Sequence, residues 1–492
     1  MNKIYAVLPK RIGTISPYLY GVFAEHIGGV FYDGLYVGKD SGVENIRGFR
    51  KAVVEKMREA KIPLIRWPGG CFAETYDWRD GIGPQEGRPV RINWWTERDG
   101  RYEPNLVGTD EFLDLCAMTG AEPYFAANIT SSTPLAIRDW IDYCNSPAGS
   151  TTMARLRETN GHREPYGVKL WGVGNETWGG GGRMSPESYA MEYRRYAEVM
   201  KNADRSIELI ASGANSVDYS WTRRMMAQIA EGDGPMDGMS FHYYSFSDDD
   251  PTGFDAAGWY RLLGRANRIE ELIRRHYAGV ASYGWEEKGK LVIDEWGAWH
   301  RDGSGPSGGY NLFEQQSTLR DAALAALTLN HFNNNADKIR IATVAQLVNN
   351  LHALFLAGGE NCIVTPTWHV FNLYKTHQGA EAVECFAESG ALPEGLPGLS
   401  ASASVKNGVM TLTAVNLSAE EAKEVPVAIL GGKALGHAVI RTLSDEDLTA
   451  HNSFEEPDRI KIAEETREDF PGMLYLPKGS VVTLTVPVES GD

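Results

Sequence analysis

From about residue 15 to residue 380, short apolar runs alternate with longer amphipathic stretches. The runs cover residues 20–25, 62–67, 123–128, 168–174, 209–213, 238–243, 291–295 and 339–344. Each is too short for a typical helix and apolar almost throughout, the pattern of a strand buried on both faces. The stretches between them carry helical spacing. Within residues 48–60, Val53, Val54, Met57 and Ala60 share one face. Ser185-Pro186 supplies an N-cap and a first-turn proline for a helix that buries Tyr189, Tyr193, Tyr196 and Met200. Trp259, Leu262, Leu263, Ala266, Ile269 and Ile273 form another stripe at a spacing near 3.6. Eight strands alternating with helices predict an α/β fold, an enlarged (β/α)8 TIM barrel. A doubly wound sheet is the rival, but it wants a glycine-rich phosphate turn after the first strand. Glu25-His26-Ile27-Gly28-Gly29 is a poor version of that turn.

Beyond about residue 385 the pattern becomes strictly alternating. Residues 399–405 and 409–415 flank Asn407-Gly408, a two-residue hairpin signal, and residues 473–476 and 481–486 flank Pro477-Lys478-Gly479. These features predict a C-terminal antiparallel β-sandwich without an evident catalytic cluster. Residues 3–8 precede the first barrel run and are expected to join that sheet. The chain is thus expected to divide into a barrel at 15–384 and a sandwich at 385–492 with 1–14. At 492 residues, more than one core is needed in any case.

Composition narrows the function classes. With 42% hydrophobic and 23% charged residues the chain is a globular one. A formal net charge of −17 repels nucleic acid and anionic lipid, and no basic cluster offsets it. No apolar stretch approaches the ~18 residues of a membrane span, and the N-terminus lacks an h-region. The five cysteines, at 71, 116, 144, 362 and 385, have neither the number nor the spacing of a disulfide framework or a zinc cluster. A cytoplasmic enzyme acting on a small neutral ligand is expected, with no nucleic-acid or membrane partner.

Two runs end in a carboxylate beside a large aromatic: Trp171-Gly172-Val173-Gly174-Asn175-Glu176 and Leu291-Val292-Ile293-Asp294-Glu295-Trp296. Charge at the mouth of a buried strand costs desolvation and needs a chemical reason. Counted along the chain, Glu176 ends strand 4 and Glu295 ends strand 7, and barrel sites form at the C-terminal ends of strands. Two carboxyl groups about 5 Å apart are what a retaining glycosidase requires, one as acid and one as nucleophile. Asn175 is placed to hydrogen-bond a sugar 2-hydroxyl.

Residues 171–178 (WGVGNETW) and 293–299 (IDEWGAW) resemble the signatures of glycoside hydrolase family 51, the α-L-arabinofuranosidases. Residues 21–28 (GVFAEHIG), 66–72 (RWPGGCF), 241–244 (FHYY), 345–350 (AQLVNN), 365–374 and 450–457 (AHNSFEEP) follow in the family's order. The resemblance implies a barrel followed by a β-sandwich, retention of configuration, release of terminal arabinofuranosyl units from small oligosaccharides, no cofactor and no metal, and assembly into a homo-hexamer. Glu176 matches the general acid/base and Glu295 the nucleophile. Glu25, Cys71, Asn175 and Tyr244 match positions that hold the sugar before the cleaved bond, and Trp299 an aromatic of the cleft. Trp94 or Trp95 is expected to line it from a neighbouring loop.

Plainer readings stand beside these. Glu25 is also a natural counter-ion for Arg66, Cys71 a core thiol, and Tyr244 a packing residue. His242 reads as an orienting residue, since no HxH or HExxH pattern accompanies it. Residues 179–182, all glycine, read as a permissive turn over the site. Two departures from the family pattern are expected to matter: Gly297 where some members carry asparagine, and His352 where many have a glutamine near the end of strand 8. A histidine near the sugar would alter its hydrogen bonding or the pH profile, and leaves β-xylosidase or endoglucanase activity as the alternative. A non-catalytic carbohydrate-binding protein is the third reading, and needs no paired acids.

Overall fold

The computed structural model describes residues 2–95, 102–232, 234–285, 289–301 and 303–490. Eight parallel strands close into a barrel in the order β5-β6-β7-β8-β1-β2-β3-β4. They are β1 (Gly21–Phe23), β2 (Leu64–Trp67), β3 (Glu122–Ala127), β4 (Leu170–Val173), β5 (Glu208–Asn215), β6 (Gly238–Phe246), β7 (Lys290–Trp299) and β8 (Ile339–Ala345). All eight apolar runs are therefore strands. Their side chains are buried almost throughout, as a sheet covered on both faces requires. The helix Lys51–Ala60 buries Val53, Val54, Met57 and Ala60, and Pro186–Ala203 buries Tyr189, Tyr193, Tyr196 and Met200 below a Ser185 cap. The stripe from Trp259 to Ile273 is split into two helices, Ala256–Asn267 and Ile269–Ala281.

The C-terminal part is a β-sandwich. Strands Leu399–Lys406 and Val409–Asn416 pair in register through Leu399↔Asn416 and Lys406↔Val409. Asn407 (φ 51°) and Gly408 (φ 74°) supply the left-handed turn that matches strand twist. The N-terminal strand Lys3–Thr14 lies between Glu381–Glu388, antiparallel, and Lys423–Leu430, parallel. The sheet path folds over itself, so that Ile4, Val425 and Leu474 share a core with Leu412, Ile440 and Leu484.

By compactness the chain forms two units, one of residues Gly21–Tyr243 and Arg274–Glu295, the other of Met1–Tyr20, Tyr244–Ile273 and Trp296–Asp492. No helix among the described residues is long and apolar enough to cross a membrane.

Candidate active site

β2 delivers Arg66, fully buried, to the C-terminal face of the first unit. Its Nη1 donates to Glu295 Oε1 at 2.9 Å and to the Asp294 carbonyl at 3.3 Å, and its Nη2 to Asn175 Oδ1 at 2.6 Å. One guanidinium thus joins the carboxylate of β7 to the turn after β4, a planar fork's natural task. β4 stops at Val173 because Gly174 turns left-handed (φ 86°), and Glu176 follows three residues beyond the strand at φ 42°. A glutamate there is strained, and such strain is commonly found at functional sites.

Glu295 does not end its strand. β7 continues to Trp299, because the Ser247 N–H after β6 still donates to the Trp299 carbonyl at 2.9 Å.

β6 brings His242 between the two glutamates. Its Nδ1 stands 2.8 Å from Glu176 Oε1 and 3.4 Å from Glu295 Oε2, and its Nε2 3.0 Å from Asp294 Oδ1. One carboxylate oxygen of each glutamate and one ring nitrogen of His242 lie within 4.8 Å of one another.

The cluster sets its own protonation. Burial by itself lowers the His242 pKa, but Glu295 and Asp294 outweigh it and lift the group to about 10, so the ring is an imidazolium at neutral pH. Burial raises Asp294, yet Arg66 and His242 together hold it down to about 2, and Tyr124 Oη donates to it at 2.9 Å. Burial raises Glu295, opposed by His242 and reinforced by Glu176. Glu25 is lifted to about 7 by burial and then by Glu295.

Glu25 Oε1 accepts from the Phe72 amide at 3.0 Å and from Trp95 Nε1 at 2.9 Å. Trp95 stacks on Trp94 with ring centres 4.1 Å apart, and its bond to Glu25 brings the tryptophan pair to this site. Cys71 Sγ lies 3.5 Å from Glu176 Oε2 and 3.6 Å from Asn175 Nδ2. Burial, then Glu176, raise its pKa far above the ordinary thiol range, so it is a neutral donor rather than a thiolate.

The structure therefore brings together Glu25, Arg66, Cys71, Asn175, Glu176, His242 and Glu295 in one unit. Sequence reasoning missed Asp294, Tyr124 and Glu74, whose Oε1 accepts the Asn175 amide at 2.6 Å. Asp294 was visible inside the strand-7 motif as a second acid in an apolar run. Glu74 and Tyr124 carry no local signal, because only their partners make them polar sites.

Tyr244, Trp299 and His352 belong to the second unit. Tyr244 meets Trp299 edge-to-face at 5.1 Å, and Trp299 also packs on Phe246 and Phe313. His352 corrects an expectation. It is buried, its Nδ1 accepts from the Ala298 amide at 3.0 Å, and its Nε2 donates to the Asp321 carbonyl at 3.1 Å. Neither ring nitrogen is left to offer a sugar. Burial, against Asp321, lowers its pKa to about 4, so it also does not titrate near neutrality. β8 ends at Ala345 and the buried Gln346 follows at once. Gly297 packs against the same histidine: a Cβ added there would lie 2.7 Å from the His352 Cβ.

Glu176, His242 and Glu295 have the reach of a metal-binding trio. However, Nδ1 of His242 already faces both carboxylates, and Arg66 sits as a fixed cation on Glu295. A divalent ion would have to displace one of these charges.

Residues 294–480 match the α-L-arabinofuranosidase C-terminal domain, and residues 56–257 the α-L-arabinofuranosidase 1 domain. The chain is 39% identical to an intracellular exo-α-L-arabinofuranosidase of Bacteroides ovatus over 97% of its own length and 93% of the relative's. It is 30% identical to α-L-arabinofuranosidase C of Emericella nidulans, over 96% and 95%. Among solved structures, it superposes on the family 51 arabinofuranosidase of Xanthomonas axonopodis pv. citri with a TM-score of 0.92 at 34% identity, covering 99% of this chain and all (100%) of that one. The α-L-arabinofuranosidase of Thermotoga maritima, in its arabinose complex, gives 0.87 at 31% identity, with 99% and 100% covered.

Proposed function

Since this chain belongs to glycoside hydrolase family 51, the α-L-arabinofuranosidases, we propose that it removes terminal α-L-arabinofuranosyl units with retention of configuration. The observation that carries the reading is the approach of the Glu176 and Glu295 carboxylates, within 4.8 Å around the His242 imidazolium. That separation suits direct attack by one carboxylate and leaves no room for the intervening water of an inverting enzyme, whose carboxyl groups stand roughly 6.5–9.5 Å apart.

Glu295 attacks the anomeric carbon while Glu176 gives a proton to the departing oxygen, so the glycosidic bond breaks as the glycosyl–Glu295 ester forms. Glu176 then takes a proton from water, whose oxygen attacks the anomeric carbon and frees Glu295. Arg66 and His242 keep the attacking carboxylate charged in a buried site. Glu25, Cys71 and Asn175 surround the sugar's hydroxyls. Imported arabinan or arabinoxylan oligosaccharides in the cytoplasm are the working substrates, handled by a homo-hexamer. Residues 15–384 carry catalysis, and 385–492 with 1–14 form the supporting sandwich. Of the two grounds for the xylose or glucan alternative, His352 and the cleft loops, the first is weakened because both ring nitrogens of His352 are taken.

The test is hydrolysis of an aryl α-L-arabinofuranoside by Glu295→Ala and Glu176→Ala. Both should lose activity, with azide restoring turnover only in the Glu176 variant. Near-native activity in either variant rejects the assignment, and a panel of aryl glycosides reads the sugar.

A further inference from the structure

Glu74 lies in the short 3-10 turn Cys71–Thr75 that follows β2, and is 1% exposed. Its Oε1 accepts the Asn175 amide at 2.6 Å, and its Oε2 accepts the amides of Ile129 and Thr130, each at 2.9 Å. Ile129 and Thr130 stand in the loop after β3, and Asn175 in the turn after β4. One carboxylate therefore ties three successive loops on the catalytic face. Thr130 Oγ1 extends the tie by donating to the Gly181 carbonyl at 2.7 Å, in the glycine turn beyond Glu176. Ser131 Oγ closes it by donating to the Glu74 carbonyl at 2.8 Å.

What this carboxylate holds is a segment that would not keep its shape alone. Gly174 and Glu176 both have positive φ, at 86° and 42°, with Asn175 between them. Burial lifts the Glu74 pKa to about 7, while the three amides favour its charged form. That ionised carboxylate offers acceptors on both oxygens, and its bonds to amides are charge-assisted. A carboxamide of the same shape would turn a donor toward one of the three N–H groups. That mismatch falls either on Asn175 or on the loop after β3.

We propose that Glu74 is a positioning residue for Glu176: it fixes the Asn175 backbone, and through it the direction from which Glu176 reaches the departing oxygen. The inference rests on Glu176 acting as the acid/base. Glu74 itself need touch no substrate, and nothing in the local sequence marks it.

The experiment compares kcat/KM of wild type, Glu74→Gln and Glu176→Ala on two substrates, methyl and 2,4-dinitrophenyl α-L-arabinofuranoside. Dinitrophenolate leaves without a proton, whereas methanol needs one. A misplaced acid should cost about 100-fold on the methyl glycoside and less than about 5-fold on the activated one. A role in folding alone would lower both equally, and the ratio is independent of how much protein is folded. If Glu176→Ala shows the skew and Glu74→Gln does not, the proposal is overturned while the acid/base assignment stands. If Glu176→Ala shows none, the assignment fails and the proposal with it. Should Glu74→Gln not accumulate, Glu74→Asp retains the charge and reads the same ratio, with an equal loss on both substrates counting against the proposal.

Discussion

Replacing His242 by asparagine removes a buried cation while leaving an amide donor near the place of Nδ1. The imidazolium stands 3.4 Å from Glu295 Oε2. At an effective dielectric near 20, a unit charge at that distance is worth about 5 kcal/mol, an upper limit of roughly 3 to 4 pH units on the carboxylate. Arg66 remains at 2.9 Å from the other oxygen, and water entering the space screens the rest, so about 2 units is the expected displacement. The sign follows from charge: losing a cation disfavours the ionised form, so the Glu295 pKa rises. The nucleophile must be ionised to attack. The acid limb of kcat/KM against pH should therefore move up by about 2 units, with the pH-independent plateau reached later. Stopped assays with an aryl α-L-arabinofuranoside from pH 3 to pH 10 read this directly. An acid limb displaced by less than about half a unit would refute the claim that His242 is the charge holding Glu295 ionised.

Three further outcomes are expected. Asp294 is held at about 2 in the fold, below its ordinary 3.8, so its stabilisation is present above about pH 4 and is lost as pH falls toward 2. Asp294→Asn should flatten that acid loss by about 2 kcal/mol in urea titrations at pH 5 and pH 2.5, and an unchanged pH dependence would contradict the pairing. His352→Ala strands the buried Ala298 amide and Asp321 carbonyl and should cost about 2–4 kcal/mol, seen as a lower Tm, with no shift of either pH limb. A moved limb would return His352 to the sugar. Gly181→Ala would place a Cβ 1.7 Å from the Asn175 carbonyl oxygen, so the turn must shift: kcat/KM should fall by at least about 100-fold and the denaturation midpoint should drop with it.

Much of the architecture was legible in the chain because it is written in local periodicity. Eight apolar runs became eight barrel strands, and Asn407-Gly408 became the hairpin turn, since strand burial and turn handedness depend on neighbouring residues alone. Glu176 and Glu295 stood out for the same reason: each is a charge beside an apolar run, where only chemistry justifies the desolvation. Their convergence on Arg66 and His242 depends on closure of the barrel, which brings strands 2, 4, 6 and 7 to one place.

What a buried polar side chain does is set by what it faces, and only the tertiary structure decided that. Glu74 is an ordinary glutamate in a short turn until three amides from two other loops meet it. His352 invited a role at the sugar until two backbone groups consumed its ring nitrogens. The shifts that make His242 a cation and Asp294 a permanent anion come from charges up to 228 positions away in the chain, so no window of sequence contains them. Sequence specified which residues were chemically out of place. Folding determined their partners, because desolvation and hydrogen bonding act through space and not along the chain.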